Sequence, residues 1–176
     1  MILGLDISTS ITGATILDKD GKVELNTSFD LRNKRYFPTL YEKGKHIEIM
    51  LDEFYWRHYF NHIYIEESLQ AFRPGFSSAK TLMTLAKFNG IVSYICHRRF
   101  GIDPQYIAAS TARKMYGVKV PRGSKAKQVV LENVLDKEKD FAVEYTKNGN
   151  PKPDTFDRAD SLVIARAGYT LWKEKN

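Results

Sequence analysis

Cysteine is nearly missing from this chain: Cys96 stands alone in 176 residues, so neither an intrachain disulfide nor a cysteine zinc site can form. Long apolar runs are missing too. No stretch approaches the ~20 residues that cross a bilayer, and the N-terminus enters a strand pattern directly, without a basic leader or a small-residue cleavage site. The expectation is a soluble, cytoplasmic protein with no membrane partner. Histidine is sparse, and His46, His58, His62 and His97 show no ligand spacing with the acids. Negative charge is in deficit, with 21 Asp and Glu against 27 Lys and Arg, a formal charge of +6. That balance favours a polyanionic partner, although many enzymes of small molecules are equally basic.

Against that background four acids stand out: Asp6 in Ile2-Leu3-Gly4-Leu5-Asp6, Glu66 in Ile63-Tyr64-Ile65-Glu66, and Asp157 and Asp160 in Asp157-Arg158-Ala159-Asp160-Ser161-Leu162. Asp6 and Glu66 each end a short β-branched and apolar run that reads as a buried strand. An unpaired carboxylate there costs several kcal/mol unless a positive charge neutralises it. Asp157 and Asp160, three residues apart on a helix, share one face and point at the same object. If the first and fourth strands are neighbours, all four acids meet at one end of a sheet. Oxygen ligands alone select a hard cation, Mg²⁺ with Mn²⁺ as a substitute, over zinc. Two such ions activate water and stabilise the leaving oxygen in phosphodiester hydrolysis.

With apolar residues at 43%, the chain fits one globular domain over residues 1–176. Ile2 to Asp6, Gly13 to Leu17 and an alternating run from Val23 to Leu31 predict an antiparallel meander, closed between the second and third strands by Asp18-Lys19-Asp20-Gly21. A helix follows from Leu40 to Tyr59, then a strand from Ile63 to Glu66. Ser77 or Ser78 caps a long helix whose face is Leu82, Leu85, Ala86, Val92 and Ile95. A short strand from Gln105 to Ala108 precedes a short helix from Thr111 to Tyr116 and a basic loop from Val118 to Ser124. Helical patterns then run from Lys125 to Leu135, with Val130, Leu131, Val134 and Leu135 inward, and from Thr155 to Trp172. Between them, 137–153 reads as an exposed charged loop. This order implies an α/β fold: a mixed five-stranded sheet of three antiparallel and two parallel strands, with helices on both faces.

The set of motifs resembles the RuvC family of Holliday-junction resolvases, within the RNase H-like nuclease superfamily. Leu3-Gly4-Leu5-Asp6-Ile7-Ser8, Ile65-Glu66-Glu67 and Asp157-Arg158-Ala159-Asp160-Ser161-Leu162-Val163-Ile164-Ala165 match its first-strand, fourth-strand and terminal-helix motifs in order. Gly123-Ser124-Lys125-Ala126-Lys127-Gln128-Val129 looks like its basic stretch before the penultimate helix. The resemblance implies that Asp6, Glu66, Asp157 and Asp160 are metal ligands and that Lys127 contacts DNA and completes the catalytic set. It further implies a homodimer that cuts two strands of a four-way junction symmetrically, leaving 5′-phosphate and 3′-hydroxyl ends. The long, charged 137–153 segment is similar to phage-encoded relatives, some of which act on branched DNA more broadly.

Each feature also has a plainer reading. Asp6 suits a turn cap with Ser8 and Thr9 nearby, and Asp157 and Asp160 suit the positive end of a helix dipole. The basic run Arg113, Lys114, Lys119, Arg122, Lys125 and Lys127 reads either as phosphate contacts or as a solvated loop. Phe72, followed by Arg73, reads either as a wedge stacking on an unpaired base or as a packed loop aromatic. Two other functions compete. An actin-like ATPase begins with a similar strand turn but needs a second glycine-rich phosphate loop and a second related domain, and this chain has neither. A catalytically silent DNA-binding module of the same fold is the alternative, opposed by the retention of all four acids.

Overall fold

Residues 1–67 and 78–175 are described by a computed structural model. Strands β1 (Ile2–Asp6), β2 (Ile11–Leu17) and β3 (Val23–Asp30) form the expected antiparallel meander. Helix α1 (Leu40–His58) then carries the chain back across the sheet, so that β4 (His62–Glu66) pairs with β1 in parallel. A parallel neighbour requires such a crossover, because a tight hairpin can only reverse direction. Helix α2 (Ala79–Phe100) makes the second crossover, and β5 (Gln105–Ile107) pairs in parallel with β4. The sheet order is β3-β2-β1-β4-β5, the predicted mixed five-stranded sheet. Helices α3 (Ala109–Tyr116), α4 (Ala126–Lys137) and α5 (Pro153–Lys175) complete the chain.

Two apolar cores sandwich the sheet, and strand alternation sorts residues between them. Leu3, Leu5, Ala14, Ile16, Ile63 and Ile65 face α1 and α2, where they meet Ile47, Leu51, Phe88 and Val92. Ile2, Leu17, Tyr64 and Ile107 face the other way, towards Leu162, Val163 and Ile164 of α5 and Val130, Leu131 and Val134 of α4. Helices therefore cover both faces, and β1 and β2 are buried at every position, as central strands covered on both sides are.

Helix α5 lies against the strand backbones themselves. A Cβ on Gly4 would sit 2.5 Å from the Ala165 amide nitrogen, and one on Gly13 would overlap the backbone carbonyl of Asp157. Glycine at these two strand positions is what lets the acid-bearing helix approach so closely. A polar chain then locks its register: Thr15 and Ser161 share a hydrogen bond of 2.8 Å, and Asn26 donates to Thr15 Oγ1 at 2.7 Å and to Arg158 O at 3.0 Å.

Two sequence expectations need correction. In α2, capped by Ser78, the buried face is Phe88, Asn89, Val92, Ile95 and Cys96, whereas Leu82 and Leu85 are half-buried and Ala86 is exposed. The helical period holds, but only the later turns lie over α1 and the sheet. Leu135 is 38% exposed, because Val130, Leu131 and Val134 already fill the stripe of α4 that meets α5. The charged segment before α5 is exposed as expected, with a small hairpin in which Thr146 donates to Asn150 O at 2.7 Å and Lys152 to Glu144 O at 2.8 Å. Phe72 and Arg73 lie outside the described residues. Among the described residues no helix is long and apolar enough to cross a membrane.

Candidate active site

Gly4 and Tyr64 face α5, since Gly4 touches Ala165 and Tyr64 touches Gly168. Two residues further along each strand, Asp6 and Glu66 face α5 as well. Leu5 is paired with Ile65, so the next step in the parallel register sets Asp6 beside Glu66 at the C-terminal ends of the two strands. From above, α5 contributes Asp157 and Asp160, both buried, and the register lock at Thr15–Ser161 sits one residue beyond Asp160. Asp6, too, is buried.

The turn after Asp6 is held by another residue. Thr12 Oγ1 accepts from the Ser8 amide at 3.2 Å and donates to Ser8 O at 2.9 Å, so the turn-capping role belongs to Thr12. The end of β4 is tied from the opposite core, where Asn89 of α2 donates to Glu66 O at 3.0 Å.

All four carboxyl groups hold their protons more tightly than free acids do. Burial, then the Glu66 and Asp160 charges, hold Asp6 well above the usual carboxylate range, with Lys127 acting the other way. Burial and Asp160 push Glu66 up to about 7, against the opposing charges of Arg113 and Lys127. Asp160 is raised by burial, partly offset by Lys127 and Arg113. Asp157 is also raised by burial, and its hydrogen bond to Lys127 and the nearby Arg32 work against that rise.

Among the described residues Lys127 is the cation that meets Asp157 and Asp160. Its Nζ donates to Asp157 Oδ1 at 2.6 Å and lies 3.7 Å from Asp160 Oδ2. Burial favours its neutral form, but Asp6, the Asp157 hydrogen bond and Asp160 outweigh burial and keep the ammonium charged. Lys127 and Arg113, with Arg32 at Asp157, offset the crowding of these acids only in part, since all four carboxyl groups remain raised.

This donor set suits a hard divalent cation by its chemistry: it is all oxygen, it lacks positive charge, and an ammonium already sits against one of its members. Among the described residues no three His, Cys, Asp or Glu side chains stand ready as a coordination shell. The acids would therefore have to draw together around an ion, with Lys127 giving up part of its contact.

The predicted basic group divides. Lys127 reaches the acids, whereas Lys119, Arg122 and Lys125 are exposed along the segment that leads into α4. Arg158 turns away, donating to Ala142 O at 2.9 Å beside a separate cavity of about 560 Å³ that none of the predicted site residues lines. Three residues that sequence reasoning did not place in the site belong to it. Arg113, on α3, acts on Glu66 and Asp160; Asn89 holds the Glu66 carbonyl; and Arg32 shares with Lys127 and Asp157 an open groove of about 460 Å³. Arg113 stood in the basic run and Asn89 interrupts an apolar helix face, so both left a trace in the sequence, whereas nothing local in the sequence ties Arg32 to the acids.

No protein-family model matches the chain, and no curated protein matches it in sequence. Solved structures do match. The RuvC of T. thermophilus in complex with a Holliday junction substrate aligns with 14% identity and a TM-score of 0.65, covering 98% of this chain and 94% of that one. A second Thermus thermophilus RuvC structure aligns with 17% identity and a TM-score of 0.60 over 98% of this chain and 96% of that one. The yeast mitochondrial Holliday junction resolvase Ydc2 aligns with 14% identity and a TM-score of 0.60, covering 99% of this chain and 79% of that one. The fold is thus shared over almost the whole chain: its mixed five-stranded sheet with helices on both faces is the RNase H-like fold of the RuvC resolvases.

Proposed function

We propose that this chain is a divalent-cation-dependent endonuclease of branched DNA, with four-way junctions as its principal substrate, working as a homodimer. One observation carries the reading: four acids meet at the ends of β1 and β4 and on α5, where burial and crowding raise every one of their carboxyl groups despite Lys127 and Arg113. The RuvC structure that aligns with this chain holds a Holliday junction substrate, and the fold is the same. A two-fold protein also suits a two-fold junction.

Asp6 and Glu66 would hold the ions from the strand ends, and Asp157 and Asp160 would close the shell from α5. The bound Mg²⁺ or Mn²⁺ would supply charge stabilisation for in-line phosphodiester hydrolysis, giving a 5′-phosphate and a 3′-hydroxyl. Lys127, once released from Asp157, would set its ammonium against a phosphate oxygen, and Arg113 would offset charge at Glu66 and Asp160. Lys119, Arg122 and Lys125 would hold the backbone nearby without reading sequence.

The silent-module reading has one point in its favour, the direct contact of Lys127 with Asp157, which already supplies a counter-charge. Cleavage of a labelled immobile four-way junction, beside a flap, a Y-form and linear duplex, separates the two. Paired nicks that need Mg²⁺ or Mn²⁺ and vanish in Asp160→Asn, with binding retained, are the expected result. Equal cutting of flaps and Y-forms would widen the substrate class. Binding without cutting in any metal would overturn the enzyme reading in favour of the silent module.

A further inference from the structure

After β3 the chain continues as Leu31-Arg32-Asn33-Lys34-Arg35-Tyr36, with three cations in four consecutive positions. A charge run of this kind is usually a solvated face, but this one is a built turn. Leu31 is buried, and its amide donates to Ser10 O at 2.8 Å, which pins the segment to the turn that follows Asp6. Asn33 then organises the bend: its side chain accepts from the Arg35 amide at 3.0 Å, and its carbonyl accepts from the amides of Tyr36 at 3.1 Å and Phe37 at 2.9 Å. Phe37 anchors the far end against His46, with ring centroids 5.0 Å apart. Between these anchors residues 32–36 are exposed, Tyr36 at 66%.

Arg32 links this turn to the acids. Asp30 grips it in two places, at 2.8 Å from Nε and 2.5 Å from Nη2, which orients the guanidinium and uses two of its five N–H donors. Three donors remain for a phosphate. Its groove is the one that Lys127 and Asp157 also line. The two basic segments leave different edges of the sheet: residues 32–35, with Arg32 in the groove, follow β3 at one edge, while 117–125 follow α3 and β5 at the other and lead into α4, which brings Lys127 to the groove. The acids of β1 and β4 lie between them.

We propose that the Arg32–Tyr36 turn is a second strand-binding strap, gripping the phosphodiester backbone on the side of the acid pocket away from Lys119–Lys125 and offering the Tyr36 ring to a base. The assignment rests on the endonuclease reading for its ligand. Four clustered acids repel a phosphodiester strand, and cations on one flank alone would leave the strand free to swing away on the other. Cations on both flanks hold the scissile phosphate over the acids.

The test uses the full chain, a labelled four-way junction in EDTA and anisotropy across a salt series. Lys34→Ala with Arg35→Ala should weaken binding about tenfold and flatten the slope of log affinity against log salt by about 2, one for each lost phosphate contact. Lys119→Ala with Arg122→Ala should do the same from the other flank. Loss only in the second pair would overturn the strap and leave the endonuclease standing; wild type that binds no DNA would overturn both.

A crosslinking arm locates the contact. Cys96 is buried and its thiol is pushed up to about 12 by burial, so a photo-reactive label attaches only at an introduced Tyr36→Cys or Arg122→Cys. Crosslinks from the two positions should fall on opposite sides of the cleaved phosphate. Crosslinks to the same nucleotides, or none from position 36, would sink the proposal.

Discussion

On the α1–α2 side of the sheet, Leu3, Leu5, Ala14, Ile16 and Ile65 meet Leu51, Phe88 and Val92, and the polar side chains Thr12 and Asn89 tie down the ends of strands. On the α5 side the same strands present Gly4, Asp6, Gly13, Thr15 and Glu66 to a helix that carries Asp157, Asp160 and Ser161. One face is thus a conventional apolar core. The other has a core too but places four like charges together at the strand ends, at a cost to the metal-free fold that the two cores must offset. A sheet can divide its work this way because neighbouring residues on a strand point to opposite sides, so that chemistry and stability are set by alternate positions of one short segment.

The comparison breaks most visibly at Glu66. Glu66→Gln should lower junction cleavage by more than about a hundredfold, the upper end of the loss seen when groups that merely orient metal ligands are removed. In EDTA its Tm should stay level or rise, since one of four crowded like charges has gone; a marked fall would mean that Glu66 supports the fold. The opposite pattern is expected across the sheet. Leu51 is fully buried, and Leu51→Ala should cost about 2–5 kcal/mol in urea unfolding while each folded molecule still cleaves.

A smaller effect follows from proton linkage. Glu66 titrates near 7 in the folded protein against 4.5 as a free group, so between those values the folded state holds more protons than the unfolded one. Stability from this group is therefore fullest below 4.5 and is lost as pH rises towards 7. Asp6, Asp157 and Asp160 shift in the same direction. Metal-free Tm should fall between about pH 5 and about pH 7.5, and Mg²⁺ should raise Tm more at the upper end than at the lower. Glu66→Gln should flatten both trends, and an unchanged slope in that variant would detach them from the acid cluster. Smallest of all is Lys152→Ala, which removes an exposed pair with Glu144 in the hairpin before α5 and should leave the urea midpoint where it was.

The main lines of fold and site were legible because they rest on local periods. Ile2-Leu3-Gly4-Leu5-Asp6 reads as a strand and Asp157 to Ala165 as a helix from their own residues, and the spacing of Asp157 and Asp160 already puts both on one helix face. Helix length was readable in α2, but its covered part was not. Leu82 and Leu85 obey the same period as Val92 and Ile95, and only the neighbours above them decide which pair is buried.

By itself the sequence determined which acids lie at strand ends and on the last helix, because backbone geometry repeats every two residues in a strand and every 3.6 in a helix whatever surrounds it. Tertiary structure decided how closely the cations answer them. Lys127 meets Asp157 thirty positions away, Arg113 acts on Glu66 from another helix, and Arg32 arrives from the far edge of the sheet. Charges interact through space, and no local period encodes the distance between residues that the chain brings together only when α5 settles onto Gly4 and Gly13.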